Sequence, residues 1–566
     1  MLKRHKRTRL YLVFLFVVFS LGFLILRLAY LQAFQNEFFV SFASRQHNFM
    51  VEEPPKRGVI FDRNKRELAI NIELMSLYAV ARDITDKEHV ASKLEPILKV
   101  SRGFLLDRLN KDKAFVWIAR KLSPDQVKQI KELNVRQLQF VRESRRSYPN
   151  KDLASHVIGF AGMDNKGLEG LELLYDDYLK GKPGWRLSKK DAKQRELAYA
   201  ELDQLLPVDG YQLVLTIDEM IQAIAERELE KACKKYNAVG GSIIVMDPNT
   251  GDILAMANNP SYDLNEPGAS PNDSRRNRAI TDIFEPGSVF KVVTAAAALE
   301  EKLVNFDDKF YCENGIANFS GHILHDHTPH GTLSFKNVIA YSSNIGTVKV
   351  ALKVGPKRLY KYITLFGFGK PTGIEILGEV SGMLSHPSKW SKFSISSIPI
   401  GQEVSVTAIQ LAQAMSAVSN GGILMKPRLV KEIRDSKGVL IKSFEPTMKW
   451  RVVSQETSDK LKILLNGVVE LGTGKAADIK EYRSGGKTGT AQKVEPNGLY
   501  SHSKFIASFV GFAPLNDPKI VIVVSIDEPR PYYYGGTVAA PVFKSVGCQT
   551  LRYLGVQPDC VLASEK

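Results

Sequence analysis

Residues 10–26 form an almost unbroken apolar run, Leu10-Tyr11-Leu12-Val13-Phe14-Leu15-Phe16-Val17-Val18-Phe19-Ser20-Leu21-Gly22-Phe23-Leu24-Ile25-Leu26. With Leu28, Ala29, Tyr30 and Leu31 it reaches the ~20 residues that a helix needs to cross a bilayer. Arg27 can snorkel to the far face. Lys3, Arg4, Lys6, Arg7 and Arg9 precede the run, and little charge follows it. The positive-inside tendency then puts the N-terminus in the cytoplasm and the remainder outside. The run exceeds a signal-peptide core, and no small-x-small site follows, so an uncleaved anchor over residues 10–31 is expected behind a cytoplasmic tail of residues 1–9. Later apolar runs have strand length.

From residue 32 to 206 the pattern mixes short strands with helices, is richly charged, and reads as an α+β module. After Pro207-Val208-Asp209-Gly210 the grain changes. A strand is expected over 211–217, a helix over 219–236, and a hairpin over 241–257 with its turn at Pro248-Asn249-Thr250-Gly251. Strands return at 505–512 and 519–526. A helix group between Ser288 and Ser416 is thus flanked by strands, which predicts a sheet with helices packed on it over residues 207–566.

Composition narrows this α+β reading. The 566 residues suffice for two or three domains, and 44% hydrophobic with 24% charged residues is the balance of a folded protein. Cys233, Cys312, Cys548 and Cys560 show no C-x-x-C pairing, which argues against a metal cage or a disulfide scaffold. The net charge of +16 admits nucleic acid, a membrane surface or an anionic substrate. The basic residues are dispersed and no nucleic-acid motif is present, so the membrane surface fits best and no nucleic-acid partner is expected.

Three strings carry candidate chemistry: Ser288-Val289-Phe290-Lys291, Ser342-Ser343-Asn344 and Lys487-Thr488-Gly489-Thr490. Ser288 follows the breaker Glu285-Pro286-Gly287 and opens an alanine-rich run, so it is expected at a helix N-terminus, where negative charge is favoured. Lys291 lies three residues on, on the same face. In an apolar run it must find polar partners or lose its proton, and loss makes it a base. Ser342 can relay a proton and Asn344 can orient lysine and substrate. Residues 485–492 read as an edge strand whose glycines let a peptide approach. Ser501-His502-Ser503-Lys504 repeats the first spacing without an apolar helix behind it and reads as structural.

In this order the strings resemble those of a class B penicillin-binding protein, a peptidoglycan D,D-transpeptidase, and are most similar to the division-specific FtsI type. Arg57-Gly58-Val59-Ile60-Phe61-Asp62-Arg63-Asn64 resembles the opening signature of the N-terminal module of that class. Arg146-Ser147-Tyr148-Pro149, His156-Val157-Ile158-Gly159 and Gly167-Leu168-Glu169-Gly170-Leu171-Glu172 resemble its later motifs. Lys65 and Glu403 stand where the family usually has glycine. The resemblance implies a non-catalytic pedestal or dimerisation module at 32–206 and a serine β-lactamase/transpeptidase-like fold at 207–566. It also implies acyl transfer from peptidoglycan stem peptides on nascent, lipid-linked glycan, without a cofactor. Ser288 would be the nucleophile and Lys291 the base. Ser342 and Asn344 would handle the proton. Lys487, held charged, would grip the substrate carboxylate with Thr488, Gly489 and Thr490. β-Lactams would acylate Ser288. Partners implied are a SEDS-family glycosyltransferase and other divisome membrane proteins at the inner membrane, with the catalytic domain periplasmic.

Alternatives are an elongation-type transpeptidase, a membrane-bound β-lactamase or β-lactam sensor, a bifunctional polymerase and an idle scaffold. Thr488 favours the division type, where elongation-type relatives more often carry serine. His322, His325, Asp326, His327 and His330 could suggest zinc. Without an H-E-x-x-H arrangement they are expected to form a polar loop at the cleft rim, and no metal is assigned.

Overall fold

The computed structural model describes residues 2–39, 41, 48–113, 115–189, 204–319, 321–495 and 497–559. Cys560 and the side chains of Lys3, Arg4 and Lys6 lie outside the described residues. The chain divides into two compact units, Met1–Lys56 with Gly181–Asp209, and Arg57–Lys180 with Gly210–Lys566.

The first unit holds helix α1 (Leu2–Phe34), in which Arg7–Phe34 is long and apolar enough to cross a membrane. Its leucine, valine and phenylalanine side chains are exposed around the helix, as expected of a segment that lipid covers. It is the one candidate span among the described residues. The same unit contains a small antiparallel sheet, in which Gly184–Lys189 lies between Asn48–Glu53 and Gln204–Leu205.

In the second unit the elements that matter for the site begin with strands β1 (Ile60–Phe61), β2 (Glu67–Ala79), β3 (Val116–Leu122), β4 (Leu138–Ser147) and β5 (Gln212–Leu215). Helix α2 (Glu219–Lys235), strands β6 (Gly240–Met246) and β7 (Ile253–Asn259), and helices α3 (Lys291–Glu300), α4 (Asn344–Val354) and α5 (Ala408–Ser419) follow. Strands β8 (Val430–Arg434) and β9 (Leu440–Ser443), helix α6 (Gln455–Glu470), strands β10 (Gly485–Val494), β11 (Tyr500–Ala513) and β12 (Ile520–Asp527), and helix α7 (Ala540–Tyr553) complete it.

One sheet runs β9-β8-β5-β1-β2-β3, with β4 also paired to β2. Only β1 and β5 are parallel, with Ile60 opposite Leu213. Under it, three of the N-terminal motifs converge on one buried carboxylate. Glu172 receives Arg57 Nε at 2.6 Å, Arg146 Nε at 2.6 Å and the Tyr148 hydroxyl at 3.2 Å. Asp62 closes its own turn by accepting from the backbone N–H of Asn64 and Arg66, and it also accepts from Glu219 N at the start of α2.

The second sheet is antiparallel, in the order β7-β6-β12-β11-β10. The β-branched run of β12 sits at its centre, and successive side chains of a strand point to opposite faces. Val521 and Val523 accordingly enter the core that contains α3 and α5, while Ile520, Ile522, Val524 and Ile526 enter the core formed with α2 and α7. A strand covered on both faces can be apolar throughout. Every residue of α5 is buried, so α3 and α5 form a rigid interior against which a site can be held. β10 lies at the sheet edge.

Candidate active site

Ser288 lies in the single 3-10 turn Gly287–Phe290, which runs directly into α3, rather than on the α-helix itself. The turn is clamped from two sides. Gly287 N donates to Gly401 O at 3.2 Å, and a Cβ on Gly287 would come 2.9 Å from Thr490 O. Gly287 also takes φ +54°, so glycine is required there twice over.

Lys291 is the first residue of α3 and is fully buried. Its Nζ donates to Ser342 O at 2.6 Å, Asn344 Oδ1 at 2.7 Å and Ser342 Oγ at 3.2 Å. Burial pushes its pKa down to about 7, against the opposing pull of the Asp326 carboxylate. Lys487 on β10 is also fully buried. Its Nζ donates to Ser342 Oγ at 2.9 Å, Thr488 O at 3.2 Å and Thr488 Oγ1 at 3.3 Å. Burial, then the charge of Lys291, hold its proton affinity well below that of an ordinary lysine. Lys487 was expected to hold a charge against a substrate carboxylate; its amine is instead enclosed among Ser342 and Thr488 oxygens, an environment that disfavours the proton.

Ser342 takes φ +59°, an unusual conformation for a residue with a side chain, and this turns both its carbonyl and its hydroxyl to Lys291. Asp326 supports that turn. It accepts Asn344 N at 2.5 Å and Ile345 N at 3.1 Å through Oδ1, and the Ser343 hydroxyl at 2.6 Å through Oδ2. These are the free N–H groups at the start of α4, where an anion is favoured. Asn344 Nδ2 adds a bond to His325 O at 2.8 Å.

Thr488 Oγ1 meets Thr473 Oγ1 at 2.8 Å, and Thr490 Oγ1 accepts from Gly535 N at 3.0 Å. The space a side chain would need at Gly489 is taken by Ser508 Oγ, Val289 and Pro286 O. That glycine lets β10 close on the Ser288 turn; it does not leave room for a substrate. A cavity of 840 Å³ is lined by Ser288, Ser342, Asn344, Thr488 and Thr490 together with Glu285, Thr473 and Lys475. Lys291 and Lys487 stand behind its wall.

Of the other expected features, the Ser501 string lies apart from this chemistry, whereas the histidine loop reaches the cavity rim through His327. Ser501 is buried on β11, and its hydroxyl accepts from Ser503 N and Lys504 N while Lys504 pairs with Glu495. His322 bonds the Ser396 hydroxyl, His327 sets its edge against Tyr534, and His330 stacks on Tyr341. Among the described residues no three His, Cys, Asp or Glu side chains gather into a metal site. Sequence reasoning missed Asp326 as a brace, Thr473 and Glu285. Thr473 had a signal, because the Gly472-Thr473-Gly474 turn after α6 presses so close to Ala340 that a Cβ on Gly472 would clash.

Known proteins with this arrangement are numerous. The family described as penicillin binding protein transpeptidase domain matches residues 241–546, and that described as penicillin-binding protein dimerisation domain matches residues 52–215. Stage V sporulation protein D of Bacillus subtilis (strain 168) is 38% identical over 561 residues, covering 98% of this chain and 86% of the relative. Peptidoglycan D,D-transpeptidase FtsI of Escherichia coli (strain K12) is 32% identical over 565 residues, covering 97% and 92%. Among solved structures, penicillin binding protein 3 of Mycobacterium tuberculosis complexed with aztreonam superposes with a TM-score of 0.71 at 28% identity, covering 90% of this chain and 98% of that one. Matches of this extent, to both family domains and along nearly the whole chain, make this protein a class B member of the penicillin-binding protein family.

Proposed function

We propose that this protein is a membrane-anchored serine D,D-transpeptidase that cross-links peptidoglycan stem peptides during septal wall synthesis. The observation that carries the mechanism is the convergence of two buried lysines on Ser342 Oγ behind the cavity that holds Ser288. A terminal D-alanine carboxylate bound at Thr488 and Thr490 would favour a cationic Lys487. A proton then passes from Lys291 to Ser342 while Ser342 gives its own to Lys487, which leaves Lys291 neutral. Lys291 takes the Ser288 proton as Oγ attacks the carbonyl between the two terminal D-alanines. As the C–N bond breaks, the proton travels through Ser342 to the departing amine. Backbone N–H groups of Ser288 and Thr490 hold the oxyanion. An amine from a second stem then attacks the ester, forms the cross-link and frees Ser288. The scheme needs no cofactor. A β-lactam acylates the same serine and remains there.

The N-terminus is assigned to the cytoplasm by its lysines and arginines, with the catalytic domain outside. The domains are assigned to residues 32–206 (pedestal) and 207–566 (transpeptidase). Glycan polymerisation is left to a SEDS-family partner docked on α1. The septal role rests on the FtsI relatives and on Thr488. A second reading, a role confined to sporulation, is favoured by the name of the Bacillus relative, stage V sporulation protein D. Labelling by a fluorescent penicillin tests the enzyme assignment, and a protein that takes no label overturns it. Depletion in the native host tests the role: filaments with incomplete septa support division, swollen round cells point to elongation, and normal vegetative growth points to sporulation.

A further inference from the structure

The cavity that holds Ser288 carries unlike charges in different places. Glu285 is the one acid among its lining residues, and Lys475 is the one lysine or arginine. Lys475 follows Thr473, whose hydroxyl meets Thr488 Oγ1, behind which stands Lys487. Glu285 is held near the far end of the β10–β11 hairpin, by the first residue of β11. Its Oε1 accepts the Tyr500 hydroxyl at 3.1 Å and Glu403 N at 2.9 Å, and Tyr500 pairs with Val494. Along β10, Thr488 comes first, then Gly489 and Thr490 against the Ser288 turn, then Val494. Six residues of strand span about 20 Å, so the acidic and basic groups flank the nucleophile on opposite sides, even after the reach of the tyrosine is subtracted.

That polarity matches the two halves of the proposed reaction. The donor brings a carboxylate, which belongs at the lysine end. The acceptor brings a primary amine, which is a cation at neutral pH and must lose a proton before it can attack. Resting on the transpeptidase reading above, we infer that Glu285 receives the acceptor amine: its carboxylate binds the incoming ammonium and takes the proton that frees the nitrogen lone pair. The nitrogen then forms a bond to the acyl carbon, the bond from that carbon to Ser288 Oγ breaks, and the second amine proton passes through Ser342 and Lys291 to Ser288. Glu285 returns its own proton to solvent. Two bonds orient its Oε1, while its Oε2 accepts none among the described residues. The titratable groups facing it are Tyr500 and Glu403, whose Oε2 is held by the Ser394 hydroxyl at 2.6 Å. Burial, with the negative charge of Glu403, makes Glu285 a stronger base than a free carboxylate.

The test follows the acyl-enzyme of the full detergent-solubilised chain, formed from a D-alanyl thioester donor. Two acceptors compete with water: a stem tetrapeptide with a free side-chain amine, cationic at neutral pH, and hydroxylamine, which is neutral there. Glu285→Gln is expected to lower the ratio of tetrapeptide aminolysis to hydrolysis by about a hundredfold, and hydroxylaminolysis by less than about threefold. Glu285→Asp restores part of the tetrapeptide reaction and serves as the variant if the glutamine protein does not fold. Equal losses with both acceptors would reduce Glu285 to a brace for the turn, and a wild-type-like ratio would remove it from the reaction. Penicillin labelling of the wild type reads the donor half separately, so its failure would strike the transpeptidase reading and not this inference alone.

Discussion

Lys291 and Lys487 share one hydroxyl: Ser342 Oγ lies 3.2 Å from the first amine and 2.9 Å from the second. Two ammonium ions enclosed around one oxygen repel each other, and burial already lowers the proton affinity of both. Acylation needs the neutral amine, so its rate should rise with pH. The midpoint belongs to the coupled pair and is expected near the value of about 7 to which Lys291 is pushed. Penicillin acylation rates measured on both sides of neutrality check this. A profile still climbing where free lysine titrates would show that neither amine is perturbed as the geometry requires.

Asp326→Asn separates charge from shape. The aspartate opposes the loss of the Lys291 proton, so the neutral variant should move the midpoint of the acylation profile to lower pH. It should also lower the plateau by about tenfold to a hundredfold, because the turn that aims Ser342 and Asn344 loses a charged acceptor. A lower plateau without a moved midpoint would leave Asp326 a purely mechanical support.

Ser288→Ala should abolish penicillin labelling with little change in melting temperature, since a half-buried hydroxyl is lost and no cavity of consequence forms. Ser501→Ala should label as the wild type does, because that hydroxyl closes its own turn and bonds Glu495, away from Ser288. Label retained in the first variant or lost in the second would reverse the assignment of the two S-x-x-K strings.

What could be read from the chain alone depended on whether the signal was local. The β-branched run at 520–526, the alanine-rich helix behind Ser288 and the apolar anchor each announce themselves within one window of residues, and all three appear. The burial of Lys487 does not, because a lysine in a glycine-rich strand looks exposed until the Ser342 turn closes on it. Asp326 was hidden for the same reason: among His322, His325, His327 and His330 it suggested a metal, while its partners Ser343, Asn344 and Ile345 lie 17–19 residues away. Gly489 had an apparent signal that pointed the wrong way, since its missing side chain makes space for Ser508, Val289 and Pro286.

Glu172→Gln should be among the most damaging single changes outside the cleft. The carboxylate is fully buried and bonds both Arg57 and Arg146, each at 2.6 Å, while Asp176 also pairs with Arg57. Glutamine keeps the shape but leaves buried Arg146 facing a neutral amide and Arg57 with Asp176 as its remaining acid, which costs about 3–5 kcal/mol. Thermal unfolding measures it, and a melting temperature near that of the wild type would mean that solvent reaches the cluster.

Lys65 and Glu403, where the resemblance led to an expectation of glycine, both occupy the left-handed region, at φ +65° and +58°. An L-residue there is strained by about 1–2 kcal/mol, partly offset by the greater freedom that glycine loses on folding. Lys65 is exposed and its side chain makes no ion pair among the described residues, so Lys65→Gly should raise the melting temperature slightly, by about 1 °C. Glu403 differs because its carboxylate accepts the hydroxyl of buried Ser394 at 2.6 Å. Removing a charged acceptor costs about 1.5–3 kcal/mol, more than the relief of backbone strain returns, so Glu403→Gly should lower the melting temperature. A shift of the same sign in both variants would mean that backbone strain alone decides the two positions and that the Ser394 bond contributes little.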